Sequence, residues 1–415
     1  MGKRVYILGA GASHAYDRSI FGVRPPLARG FFNAYHNLPI SDQFDVKVGN
    51  IVNFVRDVHG IPPHEFSNYV EDVEAFLVRV DGMVQDLVTK AKRSENLTDD
   101  ETMCLFQAQR AKFELLLLFS RVLIDTTEGP PCPYHGMLAA NLSAGDVILD
   151  FNWDTLCDRA LFATGEWRPD TGYGLAFEAI MDGEWRLPDN KAPSSWQLLK
   201  LHGSVNWLIC YPGLDPRDGK EISHLPPDRY HDKFCYVRLE GEPDFGCRSV
   251  LFNPLVPPQR DDGHKSIVGN VIIDPKTIKY AWDVRVYGDY TPYAKMASLI
   301  IPPSHKKRYD LPGQVFGQLW PRALKSLVES DEVYLCGYSL PVTDKRPRQL
   351  LRDVCKARDK PLRIGLVSPH SEELGTNLRR LLGKKNVDVW QAADSFETFV
   401  APHSSELILP GAAWV

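Results

Sequence analysis

The chain has 415 residues, of which 44% are hydrophobic and 24% charged, and its formal net charge is −5 at pH 7. This length is enough for one large domain or two ordinary domains of a globular protein. The net negative charge gives no overall basic field that would draw the chain to nucleic acid, and no apolar stretch approaches the roughly 20 residues of a transmembrane helix. We therefore expect neither a membrane partner nor sequence-specific binding of nucleic acid.

The eight cysteines are scattered and form no C-x-x-C pair. This spacing argues against a structural zinc ribbon and against a disulfide scaffold. The N-terminus lacks the basic and then extended apolar layout of a signal peptide. These features predict a reducing, cytoplasmic location and no bound metal.

The first apolar run, residues 4–8, predicts a buried strand that leads through a glycine turn into a helix. Residues from about 47 to 125 have helical apolar spacing, as in YVEDVEAFLVRV, and predict a helical insertion. Further short apolar runs predict buried strands, namely DVILDFN, WQLLKLHG, EVYLCGYSL and LRIGLVSP. Because helices or long insertions separate these strands, the chain is predicted to form an α/β fold with a parallel sheet.

Two segments differ in composition from the predicted sheet. Residues from about 208 to 300 are rich in Pro, Asp, Gly and aromatic residues, and predict a small irregular subdomain that contains β structure. The tail SSELILPGAAWV ends the chain and is unusually apolar. We expect the tail to dock on its own domain or on a neighbouring subunit.

The glycine turn after the first strand, GAGAS over Gly9–Ser13, allows the backbone to turn tightly and to approach a pyrophosphate. It departs from the dinucleotide fingerprint of dehydrogenases, because His14 stands where the third glycine is expected. In addition, no acidic residue ends an obvious second strand about 20 residues later. At this motif alone, nucleotide binding and a plain strand–turn–helix corner are equally open.

Polar residues follow two further predicted strands. Asn152 and Asp154 come after the DVILDF run. An asparagine can orient a ribose hydroxyl or a water, whereas Asp154 also fits the role of a helix cap. His202 follows the WQLLKL run beside a Gly-Ser turn and can remove a proton from a hydroxyl or a water, although a lone histidine is more often structural.

A fourth turn, Gly337–Ser339, follows the EVYLC run, and Asp344 is predicted to cap the helix after it. Glycine permits close backbone approach, and the serine hydroxyl can bind phosphate or ribose. Ligands of open parallel sheets bind outside the carboxyl ends of the strands. We therefore expect the four turns to line one edge of the sheet, with a phosphate-binding backbone, an Asn–Asp pair and a general base.

The order of these motifs resembles the sirtuin family, which carries GAG-x-S, then Asn-x-Asp, then His-Gly, then Gly-x-Ser-Leu. The bacterial sirtuin-like proteins of anti-phage defence are more similar still, with segments like FNYD, KLHGS-NW and GYSLP-TD. The resemblance covers most of residues 1–370. That range is therefore expected to be an NAD-binding catalytic domain, and residues 371–415 a C-terminal segment for docking or oligomerisation.

The resemblance implies a Rossmann-like sheet with a helical lid that binds NAD as a substrate and breaks the nicotinamide–ribose bond. In the defence branch water is the acceptor, and depletion of NAD halts infection. By resemblance, Asn152 would orient the ribose or the attacking water, His202 would be the general base, and Asp154 would recognise the nicotinamide amide. The expected NAD-binding residues are those of the turns: Gly9, Ala10, Gly11, Ala12, Ser13, Gly203, Ser204, Gly337, Tyr338 and Ser339.

Protein-deacylating sirtuins carry a four-cysteine zinc module between the His-Gly and Gly-x-Ser motifs. The cysteines of that interval have no paired spacing here, so no zinc is expected and hydrolysis is favoured over deacylation: Cys210, Cys235, Cys247 and Cys336. Deacylation or ADP-ribosyl transfer, and non-catalytic sensing of NAD or ADP-ribose, are the alternatives. Since constant NAD hydrolysis would kill the host, we also expect control by homo-oligomerisation or by a partner, for which the resemblance suggests a hexameric HerA-type ATPase.

Overall fold

A computed structural model of the chain describes residues 2–39, 48–68, 72–93, 97–177, 179–182, 184–186, 188–191, 193–210, 213–214, 221–222, 234–237, 296–301 and 314–401. The strands are β1 (Arg4–Leu8), β2 (Val147–Asp150), β3 (Ala179–Asp182), β4 (Glu184–Arg186), β5 (Gln197–Lys200), β6 (Gly203–Cys210), β7 (Gly213–Leu214), β8 (Glu221–Ile222), β9 (Phe234–Val237), β10 (Met296–Ile300), β11 (Glu332–Cys336), β12 (Leu362–Val367) and β13 (Val387–Ala393). The α-helices are α1 (Ala10–His14), α2 (Phe31–His36), α3 (Gly49–His59), α4 (Val73–Lys92), α5 (Asp99–Thr127), α6 (Pro133–Ala140), α7 (Leu156–Ala163), α8 (Pro169–Gly172), α9 (Gln314–Glu329), α10 (Lys345–Ala357), α11 (Ser371–Leu382) and α12 (Phe396–Val400).

A six-stranded parallel sheet forms the centre of the fold, in the spatial order β13-β12-β11-β1-β2-β5. From β1 the chain builds outward through β2 to β5, and it then returns to the other side of β1 with β11, β12 and β13. The direction of strand addition therefore reverses between β1 and β11. This confirms the predicted α/β fold with a Rossmann-like parallel sheet, and such a reversal is where open sheets bind ligands.

Continuous apolar runs form the inner strands because helices pack against the sheet and bury them. All four residues of β2 are buried, as are residues 5–8 of β1. Helix α10 shows the complementary pattern, with one buried face that lies against the sheet core. Its buried residues follow helical spacing: Pro347, Leu350, Leu351 and Val354.

The sheet extends past residue 370, where the sequence predicts that the catalytic domain ends. Strand β13 pairs in parallel with β12, beginning with Val387 opposite Leu362. It is therefore part of the central sheet and not of a separate docking segment. The run VDVWQAA lacks a continuous apolar signal because β13 is an edge strand with several exposed or half-buried residues. Residues 402–415, which include the apolar tail, lie outside the described residues.

Helices α3, α4 and α5 occupy the range predicted as a helical insertion, about 47–125, and share a separate apolar core with α2. Within this core the ring of Phe76 meets the rings of Phe32 and Phe54 edge-on, at centroid distances of 5.7 and 5.6 Å. Near the C-terminal end of α5, Phe119 contacts Trp153 at 5.3 Å. The helical layer therefore reaches the loop that follows β2.

A second, five-stranded sheet has the order β10-β6-β9-β3-β4 and is mainly antiparallel. Its strand β6 begins at Gly203, directly after the predicted base His202. Of the predicted 208–300 subdomain it contains the end of β6, β9 and β10, whereas β7 and β8 pair with each other in a separate two-stranded sheet. Residues 238–295 lie outside the described residues. Over the ranges that the structure describes, no helix is both long and apolar enough to cross a membrane.

Candidate active site

Four turns meet at the carboxyl edge of the central sheet. In the strand register, Leu8 lies opposite both Cys336 on β11 and Asp150 on β2, and Asp150 lies opposite Lys200 on β5. These four strands therefore end level with one another. The predicted site residues follow directly after them, so they share one edge of the sheet at and beside the point where strand addition reverses.

The turns after β1 and β11 contact each other through their backbones. Gly9 N donates to the carbonyl of Cys336, and Gly11 N donates to the carbonyl of Gly337, both at 3.0 Å. A Cβ atom on Gly9 would lie 2.6 Å from the Cα of Tyr338, and one on Gly11 would lie 2.8 Å from the Cα of Gly337. The close approach of the two turns therefore explains these glycines without a phosphate.

Ser13 and Asp154 are buried and bind each other. The Ser13 hydroxyl donates to Oδ2 of Asp154 at 2.6 Å, and the backbone N of Leu156 donates to Oδ1 at 3.0 Å. Both carboxylate oxygens thus hold the start of α7 and the end of α1 together. These contacts support the helix-capping role for Asp154, and they occupy the Ser13 hydroxyl that we predicted for phosphate binding. Ala12 is also buried, whereas Ala10 is exposed and Gly11 half-buried.

Asn152 lies at the centre of the edge and is 9% exposed. Its backbone N donates to Oδ1 of Asp150 at 2.9 Å, and its side-chain Nδ2 donates to the carbonyl of Gly9 at 3.0 Å. The amide is therefore fixed in orientation by the neighbouring turn. Among the described residues, none donates a hydrogen bond to the side-chain oxygen of Asn152, so this oxygen can accept one from a ligand hydroxyl or a water.

His202 is 5% exposed and packs against aromatic and acidic side chains. The ring of Phe151 meets it edge-on at 4.9 Å, and its Nε2 lies 3.4 Å from Oδ2 of Asp344. The same Oδ2 accepts a hydrogen bond of 2.7 Å from the hydroxyl of Tyr338. The sequence predicts Asp344 as a helix cap, but its side chain makes no capping hydrogen bond with α10 and contacts His202 and Tyr338.

The remaining predicted binding residues differ in what their side chains do. A Cβ atom on Gly203 would lie 1.9 Å from the carbonyl oxygen of Leu299, so the pairing of β6 with β10 requires this glycine. The Ser204 hydroxyl is fully buried and donates to Oδ1 of Asn206 at 2.5 Å. Ser339 is exposed at the edge. Of the predicted serines, Ser339 is thus the one whose side chain a ligand can reach from solvent.

Lys200, the last residue of β5, is a buried ammonium for which the sequence predicts no role. Its Nζ lies 2.9 Å from Oδ2 of Asp150, 3.2 Å from Oδ2 of Asp158 and 2.6 Å from the carbonyl oxygen of Asp154. Asp158 also accepts a hydrogen bond from the hydroxyl of Tyr173. The three donors of the ammonium therefore tie β2, the turn after it and α7 to β5, the strand that ends two residues before His202. The sequence signal for this cluster is a charged residue near the end of each of two otherwise apolar strand runs, Asp150 in DVILDFN and Lys200 in WQLLKLHG.

Burial and charge act against each other in this Lys200 cluster. Burial raises the pKa of Asp150 to about 7, although the nearby ammonium opposes that rise. Burial also raises the pKa of Asp158. For Lys200, burial alone would lower the pKa, but the two carboxylates more than offset this effect and raise it. Lys200 therefore stays charged at neutral pH, while burial keeps the proton on Asp150 to a higher pH than an exposed aspartate would keep it.

Two other kinds of site find little support. A depression of about 300 Å³ lies at the opposite, amino end of β2 and β5. Glu166 is the one Asp, Glu, His, Cys, Lys, Arg or Tyr among its lining residues, so the depression offers a single group for acid–base chemistry. The lining consists of Ala139, Ala140, Leu142, Ala144, Thr164, Glu166, Ser195 and Trp196. In the described parts of the chain, no group of three or more His, Cys, Asp or Glu side chains could hold a metal ion. The predicted residues after β1, β2, β5 and β11 meet at the carboxyl edge, which makes that edge the candidate active site.

Comparison with protein-family models and with curated proteins gives no match for this chain. The fold and the site geometry consequently carry the functional argument, and the sirtuin-like resemblance stays a prediction.

The raised pKa of Asp150 gives the first prediction. From about pH 4 to pH 7 the unfolded chain loses this proton before the folded chain does, so the carboxyl's contribution to stability is present below its ordinary pKa of 3.8 and is lost as the pH rises through 7. Asp150→Asn cannot lose a proton. The melting temperature of this variant, minus that of wild type, should therefore rise from pH 4 to pH 7.

Thermal melts at several pH values measure this difference in melting temperature. Only its change with pH tests the prediction, because replacing the carboxyl by an amide can also shift the melting temperature by the same amount at every pH. Asp86→Asn is the control, since Asp86 is exposed on α4 and its replacement removes a charge without touching the Lys200 cluster. A difference for Asp150→Asn that stays level or falls between pH 4 and pH 7 would contradict the assignment.

The backbone contact between the turns gives the second prediction. Gly337 has a φ of +61°, and a Cβ atom there would lie 2.4 Å from the backbone N of Ala12. Gly337→Ala should lower the free energy of unfolding by at least about 2 kcal/mol, because the left-handed conformation alone costs an alanine about 1–2 kcal/mol. Denaturant titration measures the change.

Gly317→Ala is the matched control. Gly317 lies in α9, and a Cβ atom there would meet nothing within 4 Å. Alanine should stabilise that helix by about 0.5–1 kcal/mol. If the two variants changed stability equally, the close contact between the turns would not be the constraint described.

Proposed function

We propose that the carboxyl edge of the sheet binds NAD⁺ and that the protein hydrolyses its nicotinamide–ribose bond. The observation that carries this proposal is the amide of Asn152, which the Gly9 carbonyl orients and whose side-chain oxygen is available to a ligand. An oriented acceptor beside the reversal point of a Rossmann-like sheet suits a ribose hydroxyl or a water. His202 follows the neighbouring strand and supplies a candidate base at the same edge.

The chemistry required of these residues is modest. Water attacks C1′ of the nicotinamide ribose, the C1′–N bond breaks, and its electron pair neutralises the positive pyridinium ring. The products are nicotinamide, ADP-ribose and one proton. Because the leaving group departs neutral, the protein needs to orient the water or ribose and to accept that proton. Asn152 would do the first and His202 the second, as general base.

Three residues predicted to bind NAD⁺ have structural roles in this proposal instead. Asp154 and Ser13 bind each other, so we assign them to holding the turn that carries Asn152. Ser204 likewise bonds within the protein. Of the turn residues predicted to bind phosphates or adenosine ribose, Ala10 and Ser339 are exposed, and Gly11 is half-buried with its N–H already donated to Gly337. Fewer residues are therefore proposed to contact NAD⁺ than the four motifs contain.

A non-catalytic sensor of NAD or ADP-ribose is the second candidate, because His202 and Asn152 are only 5% and 9% exposed. A sensor needs these side chains only to recognise the ligand, whereas a hydrolase must admit water to them. Protein deacylation or ADP-ribosyl transfer would use the same glycosidic bond cleavage with a different acceptor. The identity of the product separates these activities.

The proposed biological role is that of an effector of anti-phage defence, and it rests on the sirtuin-like resemblance. A hydrolase that consumed NAD⁺ constantly would kill its own cell. We therefore propose that assembly with further copies or with a HerA-type ATPase switches the activity on. Isolated protein would then show less activity than the assembled protein.

The third prediction is that the protein, alone or with such a partner, converts NAD⁺ to nicotinamide and ADP-ribose in equal amounts. Asn152→Ala and His202→Ala should each lower kcat by at least about 100-fold, the lower range for loss of a positioned acid–base group. Chromatography of the products measures the rate, and mass spectrometry identifies any O-acyl-ADP-ribose or ADP-ribosylated protein.

The matched controls are Asn141→Ala and His64→Ala. Asn141 is exposed at the amino end of the sheet and His64 is exposed in the helical layer, so both variants should keep wild-type activity. Calorimetric binding of NAD⁺ without turnover in the assembled protein would favour the sensor. Wild-type turnover in Asn152→Ala and His202→Ala would contradict the assigned site.

A further inference from the structure

We infer that Asp344 is a positioning residue for His202, and that Tyr338 holds Asp344 in place. This inference rests on the proposed role of His202 as a base and extends it to Asp344, to which the resemblance gives no role in the site, and to Tyr338, for which the resemblance implies NAD binding. Asp344 lies 142 positions from His202 in the chain, and its carboxylate approaches Nε2 of that ring at 3.4 Å. The fold thus brings an acid beside the candidate base.

Four side chains from three turns form a closed ring of contacts around this pair. His202 meets Phe151 edge-on at 4.9 Å, and Phe151 stacks on Tyr338 at 4.5 Å with an interplanar angle of 5°. The hydroxyl of Tyr338 donates to Oδ2 of Asp344 at 2.7 Å, and that oxygen faces His202. Each member therefore limits the movement of the next.

Asp344 is 1% exposed, and its side chain does not cap α10, the helix that it precedes. A buried carboxylate is costly unless other groups compensate its charge. Here the compensation includes the tyrosine hydroxyl and the imidazole. A residue that served only as a helix cap would bond to the backbone of its own helix, and this one contacts the candidate base.

Within this inference, the carboxylate favours one of the two nitrogens of His202 as the one that carries the proton. A negative oxygen beside Nε2 favours the tautomer protonated there, and in that tautomer the lone pair is on Nδ1. When Nδ1 accepts a proton in the proposed reaction, the same carboxylate stabilises the imidazolium ion. A carboxylate that holds a histidine in one tautomer in this way accounts for orders of magnitude in the rate of serine proteases.

The tautomer of His202 can be measured directly. In nitrogen-detected NMR spectra of the full chain labelled on histidine, His202 should carry its proton on Nε2, and the His202→Ala variant identifies its signals. In Asp344→Asn, the neutral amide no longer fixes the proton, so the tautomer should shift towards Nδ1. This measurement needs no turnover and therefore separates failure of this inference from failure of the proposed function.

Kinetics provides the fourth prediction. With NAD⁺ as substrate, Asp344→Asn should lower kcat by about 100-fold and leave KM within about 3-fold, because the base is misdirected while substrate binding is kept. Tyr338→Phe keeps the stack on Phe151 and removes the hydroxyl. It should lower kcat by about 10-fold, and it tests the inference even if Asp344→Asn fails to fold.

The matched controls lie on the helix that follows Asp344 and on the strand that precedes Tyr338. Asp353→Asn removes a carboxylate of α10 that contacts Gln349 and Lys356, and Tyr334→Phe removes a β11 hydroxyl that contacts Glu332. Both should keep wild-type kcat. An unchanged His202 tautomer in Asp344→Asn would overturn the inference, as would a kcat within about 3-fold of wild type or a loss confined to KM. If wild type shows no turnover, the tautomer measurement alone decides.

Discussion

The buried ammonium of Lys200 is the interaction on which the geometry of the candidate site most depends. A charge without solvent exposure requires oxygen partners, and Asp150, Asp158 and the Asp154 carbonyl supply them from three different elements. Asp150 in turn accepts a hydrogen bond from the backbone N of Asn152. The same cluster therefore fixes the turn that carries Asn152, the residue proposed to bind a ribose hydroxyl or a water. Lys200 precedes His202 by two residues, so one charge network lies beside both candidate side chains, Asn152 and His202.

A second constraint acts on the other side of β1. The turns after β1 and β11 are hydrogen-bonded to each other, and the glycines there have neighbouring backbone where a side chain would be. In dinucleotide-binding folds, glycines at this position allow a phosphate to approach. In this chain the close contact of the two turns already requires them. A nucleotide at this edge would therefore lie over a floor formed by both turns, with Ala10 and Ser339 exposed beside it.

Much of the fold could be predicted from the sequence because buried parallel strands appear as continuous apolar runs. Strand β13 was missed because an edge strand alternates polar with apolar residues. Asn152 and His202 could be proposed as site residues because each directly follows such a run, and their functional roles stay predictions. Asp344 could not be assigned, since its contact with His202 depends on two turns meeting in space. Ser13 and Ser204 resembled ligand-binding serines because a sequence cannot reveal that their hydroxyls already bind Asp154 and Asn206.

The central claim is that NAD⁺ binds at the carboxyl edge with its nicotinamide ribose against Asn152. A crystal structure of the His202→Ala variant with NAD⁺ tests it most directly, because that variant should bind the dinucleotide without consuming it. We predict a ribose hydroxyl or an ordered water within about 2.6–3.2 Å of the Asn152 side-chain oxygen. NAD⁺ bound elsewhere on the protein, or bound at this edge with neither a ribose hydroxyl nor a water at Asn152, would contradict the account.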